Sequence, residues 1–229
     1  MLVTGAGKMS EDNRLKKCLI FDFDGIILDT ETAEVAVWHD LYAEAGLTFD
    51  MEAYLETIGR NDPFTFDPAE PLAKREGEQR SAEQIHKECR MRTFLHAQKL
   101  DLMEGVSELI VSAKARGCLL AVGSSAEHWW IQSHLTRLGI YDQFDTIVTF
   151  DDVENAKPAP DIFLKVLENL DVFRANALVF EDSQNGILAA HRAGIRAIAV
   201  PNSITKAQDF TLAEAVLPSL AHFDLDLFV

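Results

Sequence analysis

The sequence predicts an α/β fold, in which helices cover a parallel β-sheet and a separate helical block follows the first strand. Helical patterns alternate with apolar runs after residue 104, and such alternation is typical of a parallel sheet with helices on both faces. Between residues 31 and 102 no segment has the pattern of a strand, so we expect this block to be helical. The apolar runs that predict strands are 18–21, 118–122, 146–149, 177–180 and 195–200.

The first predicted strand is a near-continuous apolar run, as expected for a buried parallel strand. It ends at Asp22 and Asp24, and Gly25 follows. Ligands of open α/β sheets bind beyond the carboxyl ends of strands, and residues i and i+2 of an extended segment share a face. Both carboxylates can therefore address one ligand, and Mg2+ would relieve their mutual repulsion. The alternative is a helix N-cap or a solvated turn.

Three helices are predicted in the block that follows, at 31–46, 51–58 and 81–99. In the first, apolar residues recur at helical spacing and Gly46 ends the pattern. Ser81 is the predicted N-cap of the third helix. Three prolines lie between residues 61 and 71 and predict a break in regular structure there.

From residue 104 onward the sequence predicts four further helices, at 106–116, 126–138, 160–170 and 184–193. A glycine directly follows three of them, at positions 117, 139 and 194. We therefore expect an α/β core made of residues 15–30 and 103–229, interrupted by a helical block at 31–102. Residues 1–14 are polar and are expected to form a flexible N-terminal segment.

Composition narrows the functional classes. Lys and Arg number 21 against 37 Asp and Glu, which gives a formal charge of −16. Nucleic acids and anionic membranes bind basic surfaces, so neither is an expected partner. The three cysteines have no CxxC spacing, and no segment resembles a membrane span or a signal peptide. We expect a cytoplasmic protein, and a monomer, although the sequence leaves a dimer open.

Polar side chains follow four of the predicted strands. Each group alone has an ordinary explanation, since Ser124 could cap the next helix and Lys157 could be a surface lysine. Together they provide what phosphoryl transfer requires, namely carboxylates for a metal and a nucleophile, a cation, and hydroxyl donors. The four groups are Asp22 with Asp24, Ser124 with Ser125, Lys157, and Glu181 with Asp182.

The order of these groups carries a resemblance. Asp22-Phe23-Asp24-Gly25, then Ser124, then Lys157-Pro158 and then residues 181–186 (EDSQNG) match the four motifs of the haloacid dehalogenase-like superfamily. The match runs from about residue 17 to 200 and is most similar to the branch of sugar-phosphate phosphatases and β-phosphoglucomutase. The resemblance implies a Rossmann-like core, a helical cap at 31–102, Mg2+ and a small phosphorylated metabolite as substrate.

The resemblance also implies roles for single residues. Asp22 would be the nucleophile that becomes an aspartyl-phosphate. Asp24 would protonate the leaving oxygen and then activate water, with its backbone carbonyl on the metal. Ser124, with Ser125 beside it, would bind the phosphoryl oxygens.

Charge and metal binding are assigned in the same way. Lys157 would neutralise charge on the phosphoryl group. Asp182, supported by Glu181, would hold Mg2+ together with Asp22. The two acids of the first motif would then titrate as a coupled set.

Departures from the family pattern favour one reaction. Dehalogenases lack a carboxylate at the position of Asp24, so its presence favours phosphate esters. The mutase has a cap histidine where this chain has Glu34, although Trp38 matches its tryptophan. We therefore predict a phosphatase, with an intramolecular phosphomutase and a non-catalytic binding protein as alternatives. Arg60, in a turn that resembles the substrate-facing turn of the cap, could hold a substrate group or be an exposed charge.

Overall fold

The computed structural model describes residues 15–57, 66–75 and 77–229. The predicted flexible segment 1–14 and the candidate substrate residue Arg60 lie outside these residues. Among the described residues, no helix has both the length and the apolar composition needed to cross a membrane.

A six-stranded parallel sheet forms the core, and the predicted α/β class is confirmed. Its strand order is β3-β2-β1-β4-β5-β6, which is Rossmann-like, and the order reverses between β1 and β4. The sixth strand has only two residues and was not predicted. The strands are β1 Cys18–Phe21, β2 Leu119–Gly123, β3 Thr146–Val148, β4 Ala177–Glu181, β5 Arg196–Ala199 and β6 Ala215–Val216.

Eight α-helices lie in the described part of the chain. One of them, at residues 69–73, falls across the end of the segment predicted to be a break. Pro68 and Pro71 are compatible with it because they occupy its N-cap and first turn, where backbone N–H groups lack intrahelical partners in any case. The helices are α1 Thr30–Glu44, α2 Met51–Thr57, α3 Ala69–Ala73, α4 Ala82–Ala97, α5 Val106–Ala115, α6 His128–Arg137, α7 Asp161–Leu170 and α8 Gln184–Ala193.

Strand β1 is buried on both faces, which explains its continuous apolar sequence. Its four residues are fully buried. Leu19 and Phe21 belong to the apolar layer that includes residues of α5 and α6, and Cys18 and Ile20 to the layer that includes residues of α7 and α8. Each such buried side chain contributes about 1.5–3 kcal/mol to folding. The helices therefore fix β1 in the middle of the molecule.

Helices α1 to α4 have an apolar cluster of their own, built around residues such as Trp38 and Ile85. Helix α1 packs on α4, and the Tyr42 hydroxyl donates a 2.8 Å hydrogen bond to the carbonyl of Pro68. Ser81 caps α4 as predicted and shares a capping box with Gln84. Because only eight residues separate the end of β1 from the start of α1, the block meets the sheet at the carboxyl ends of the strands.

Candidate active site

Two acids lie side by side at the carboxyl edge of the sheet because their strands pair in register. Phe21 of β1 lies opposite Phe180 of β4, and the N–H of Asp22 donates a 2.9 Å hydrogen bond to the Phe180 carbonyl. Asp22 and Glu181 are therefore neighbours, although 159 residues of sequence separate them (181 − 22). Parallel strands that end at one edge thus bring together side chains from distant motifs.

Lys157 joins these two acids. Its Nζ lies 2.6 Å from Oδ1 of Asp22 and 2.6 Å from Oε1 of Glu181. Burial disfavours the charged ammonium, but the attraction of both carboxylates outweighs it, so the pKa of Lys157 is raised. The predicted alternative, a surface lysine, is wrong, because only 9% of the residue is exposed.

Glu181 is fully buried and is fixed by three residues. Besides Lys157, the backbone N–H and the hydroxyl of Ser183 donate to its Oε2, at 3.1 and 2.9 Å. Gly186 packs directly on this carboxylate, and a Cβ at position 186 would overlap it. The glycine of the fourth motif is therefore required by a close approach rather than by a turn.

Asp182 belongs to the same group of acids as Asp22 and Glu181. Its Oδ2 accepts a 2.9 Å hydrogen bond from Nδ2 of Asn202, and that amide nitrogen also donates to Glu31 at 2.6 Å. Gly25, with φ 79°, lies so close that a Cβ there would overlap the Asp182 carboxylate. Glu31 and Asn202 were not predicted. The position of Asn202 just beyond β5, a fifth strand exit, is a signal that could have identified it.

The acidic group fits a divalent cation. Carboxylate oxygens of Asp22, Glu181 and Asp182 lie within 4.8 Å of one another, and the three side chains are buried. Burial, and then the neighbouring acid Glu31, raise the pKa of Asp182 well above its usual range. Burial also raises the pKa of Asp22, although the attraction of Lys157 opposes it. One ammonium cannot balance these carboxylates, and clustered oxygen ligands are what Mg2+ prefers.

Asp24 is held differently from Asp22. Its Oδ1 accepts hydrogen bonds from the Thr30 hydroxyl at 2.6 Å and from Nε1 of Trp130 at 3.0 Å. Burial raises the pKa of Asp24, while these two donors and the charge of Arg90 oppose that shift. The interaction of Asp24 with Trp130 was not predicted.

Two serines follow β2 and face the same cleft. The Ser124 hydroxyl accepts a 3.1 Å hydrogen bond from the N–H of Ala126, so the predicted capping alternative describes part of its role. Ser125 Oγ accepts from the backbone N–H of Lys157 at 3.3 Å, which ties the second motif to the third. The structure therefore brings the predicted core residues Asp22, Asp24, Ser124, Ser125, Lys157, Glu181 and Asp182 together around one cleft.

Two connected cavities adjoin the site. The cleft around the acids and serines has a volume of about 360 Å³. A second cavity of about 440 Å³ lies between α1, α4 and the start of α6, and Asp24, Glu31 and Arg90 line both. Hereafter the second cavity is called the outer chamber. Asp24 therefore lies where the cleft and the outer chamber adjoin.

Two of the predicted substrate residues, both on α1, lie in the outer chamber. Glu34 and Trp38 both line it. Oε1 of Glu34 accepts hydrogen bonds from Nε1 of Trp38 and from the Tyr54 hydroxyl, each at 3.2 Å. Its second oxygen accepts no hydrogen bond from the described residues, so it remains available as an acceptor. Carboxylate oxygens of this kind bind hydroxyl groups.

Comparison with known proteins agrees with this geometry. Residues 19–200 match the model of the haloacid dehalogenase-like hydrolase family. YhcW of Bacillus subtilis (strain 168) is 36% identical over 213 residues, which are 93% of this chain and 96% of YhcW. The fructose-1-phosphate phosphatase YqaB of Escherichia coli (strain K12) is 33% identical over 185 residues, covering 80% of this chain and 95% of YqaB.

Solved structures extend the comparison. A crystal structure of a CbbY variant from Rhodobacter sphaeroides, in complex with xylulose-(1,5)-bisphosphate, has a TM-score of 0.73 and is 27% identical. The alignment covers 91% of this chain and 96% of that protein. The similarity therefore includes both the sheet and the helical block.

Proposed function

Since the chain is a phosphatase of the haloacid dehalogenase-like hydrolase family, we propose that it hydrolyses a small phosphate monoester. We propose a sugar phosphate as its main substrate. The observation that carries this proposal is the contact of Lys157 with Asp22 in a cleft that Asp24 and Ser124 also line. The cleft is then lined by the four kinds of group that phosphoryl transfer needs, namely a nucleophile, a cation, a proton carrier and a hydroxyl donor.

In the first step, a carboxylate oxygen of Asp22 bonds to phosphorus while the bond from phosphorus to the ester oxygen breaks. The ester oxygen departs with a proton from Asp24. Lys157 and Ser124, with Ser125 beside it, hold the phosphoryl oxygens and stabilise the charge that they carry. The product of this step is the free alcohol and an aspartyl-phosphate at Asp22.

In the second step, water attacks the phosphorus of the aspartyl-phosphate and gives a proton to Asp24. The bond between phosphorus and Asp22 breaks, so that inorganic phosphate leaves and the carboxylate is free again. Asp24 thus acts first as an acid and then as a base, and one turnover restores its proton.

We propose Mg2+ as the cofactor, held by the carboxylates of Asp22 and Asp182 and the backbone carbonyl of Asp24, with Glu181 in support. The cluster of buried carboxylate oxygens supports this assignment. When bound, the cation would neutralise negative charge shared between the acids and the substrate phosphate. Lys157 then holds Glu181 in place and keeps the remaining carboxylate charge balanced.

The helical block 31–102 is proposed as a cap that closes over the site and excludes water until Asp22 is phosphorylated. Glu34 and Trp38 would contact the leaving group in the outer chamber. Arg60 would bind a further substrate group. The acidic composition supports a small phosphorylated metabolite, rather than nucleic acid or a membrane, as the partner, and the three buried free cysteines support a cytoplasmic location.

A panel of phosphorylated metabolites, assayed for phosphate release with Mg2+, tests the proposal. We expect release from at least one sugar phosphate and its loss in Asp22→Asn, with the exposed substitution Asp142→Asn as the matched control. Near wild-type hydrolysis by Asp22→Asn would contradict the mechanism. No turnover across the panel would favour the non-catalytic alternative.

Phosphomutase activity is tested with a hexose 1-phosphate in the same assay. Trp38 matches the mutase pattern, but Glu34 stands where the mutase has histidine, so we expect free phosphate. An isomeric hexose phosphate as the main product would assign the phosphomutase reaction instead.

A further inference from the structure

We propose that Trp130 is a positioning residue that fixes which oxygen of Asp24 carries the transferred proton. The inference rests on the proposed function, since it concerns the acid step at Asp24. It begins with the 3.0 Å hydrogen bond from Nε1 of Trp130 to Oδ1 of Asp24, which joins α6 to the loop after β1 across 106 residues of sequence.

The two oxygens of Asp24 have different surroundings. Oδ1 accepts from both Thr30 and Trp130, whereas Oδ2 accepts no hydrogen bond from the described residues. An indole N–H can only donate, so the oxygen that faces it cannot present a proton to it. With Oδ1 occupied by two donors, Oδ2 is the oxygen of Asp24 that is left to carry a proton. Asp24 lines both the cleft and the outer chamber, so its Oδ2 can exchange a proton with a group bound in either cavity.

The indole is itself held rigidly. Only 4% of Trp130 is exposed, and its ring packs against Phe94 and His134 at centroid distances of 5.8 and 4.8 Å. The guanidinium of Arg90, from α4, lies 5.1 Å from the Trp130 ring centroid and is bound to Glu127 by a 2.7 Å ion pair. Residues of both the core and the helical block thus fix the direction of the donor.

The neighbouring tryptophan offers a matched control. Trp129 is 41% exposed, and its Nε1 donates to Glu127 at 2.7 Å rather than to Asp24. It lines neither cavity. Replacing either indole by phenylalanine removes one N–H donor, but only the substitution at position 130 removes the donor to Asp24.

The test compares kcat/KM for two kinds of ester, because this parameter reports the steps up to departure of the leaving group. One is p-nitrophenyl phosphate, whose leaving oxygen needs no proton. The other is the sugar phosphate that the metabolite panel shows to be hydrolysed fastest. A positioned acid raises the rate by roughly 10²- to 10⁴-fold. We expect Trp130→Phe to lower kcat/KM for the sugar phosphate about tenfold. On the aryl ester we expect a change of less than about twofold, because no proton transfer assists that leaving group.

Trp129→Phe is expected to leave both values unchanged. Equal losses on both esters in Trp130→Phe, or no loss on either, would overturn the inference. If Trp130→Phe fails to fold, 3-benzothienylalanine at position 130 keeps the shape of the indole and removes its N–H, and the same two outcomes apply.

Asp24→Asn separates this inference from the proposed function. It should lose far more activity on the sugar phosphate than on the aryl ester. If Asp24→Asn shows that difference and the position-130 variants do not, only the role of Trp130 is wrong. If Asp24→Asn loses both activities equally, the assignment of Asp24 as the acid is wrong as well.

Discussion

The ammonium of Lys157 lies 2.6 Å from Oδ1 of Asp22, so the proposed nucleophile is paired with a buried cation across 135 residues of sequence. The same ammonium contacts Glu181, so removing it would leave two buried carboxylates without their partner. A substitution of Lys157 should therefore change both the stability of the fold and the rate of the proposed reaction.

Lys157→Met should destabilise the protein by about 3–5 kcal/mol, because breaking a buried ion pair leaves an uncompensated charge. Hydrolysis should fall at least about 100-fold as well, since charge on the phosphoryl oxygens is no longer neutralised. Urea unfolding and phosphate release measure the two effects. Lys165→Met, which breaks an exposed pair with Glu168 on α7, is the control and should cost less than about 1 kcal/mol. Equal stability of the two variants would contradict the buried pairing.

Gly186→Ala should be destabilising although it adds a helix-favouring residue to α8. Alanine gains about 1 kcal/mol over glycine in an open helix, but here its Cβ would overlap the Glu181 carboxylate. We expect a net loss of about 1–3 kcal/mol by thermal or urea unfolding. Gln184→Ala, at an exposed position of the same helix, should be close to neutral. A Gly186→Ala protein as stable as the wild type would show that the carboxylate has room to move.

Mg2+ should raise the unfolding temperature, because binding to the folded state alone stabilises it. At a concentration 100 times the dissociation constant the gain is about 2.7 kcal/mol. Asp182→Asn should weaken the effect markedly, whereas Asp142→Asn should leave it unchanged. A shift of the same size in Asp182→Asn and the wild type would remove Asp182 from the metal site.

His134 makes stability depend on pH. The side chain is fully buried, both ring nitrogens lack a hydrogen-bond partner among the described residues, and burial lowers its pKa from 6.5 to about 4. Below pH 6.5 the unfolded chain binds the proton more readily. This contribution to stability is therefore complete above pH 6.5 and is lost as the pH falls towards 4.

The slope should reach about 1.4 kcal/mol per pH unit within that range. His134→Phe should abolish this part of the acid destabilisation, as measured by urea unfolding between pH 4 and 7.5. His96→Phe, a substitution at an exposed position, should leave the slope unchanged. An unaltered pH dependence in His134→Phe would show that other groups cause it.

Sequence patterns predicted that the polar groups after four strands would meet, because parallel strands end at one edge of the sheet. Knowing that Asp22, Ser124, Lys157 and Glu181 each follow a strand was enough to expect them in one cleft, and the cleft is lined by all four. The pairing of β1 with β4 aligns Asp22 with Glu181, and this alignment does not depend on the direction of any side chain.

Other contacts could not be predicted because they depend on side-chain direction or on weak local signals. The approach of Trp130 to Asp24 depends on how α6 is rotated about its axis, and the predicted helix 126–138 does not define that rotation. Helix α3 begins beside prolines that usually end regular structure. Strand β6 has two residues, too few for a recognisable apolar run.

Covalent phosphorylation of Asp22 is the central step of the proposed mechanism, and rapid quenching of turnover with a ³²P-labelled substrate tests it most directly. Acid quenching within one turnover, followed by peptide mapping, should find the label on the peptide that contains Asp22. The label should disappear in Asp22→Asn and persist in Asp142→Asn. Label on another peptide, or full hydrolysis with no labelled protein at any time, would contradict the central claim.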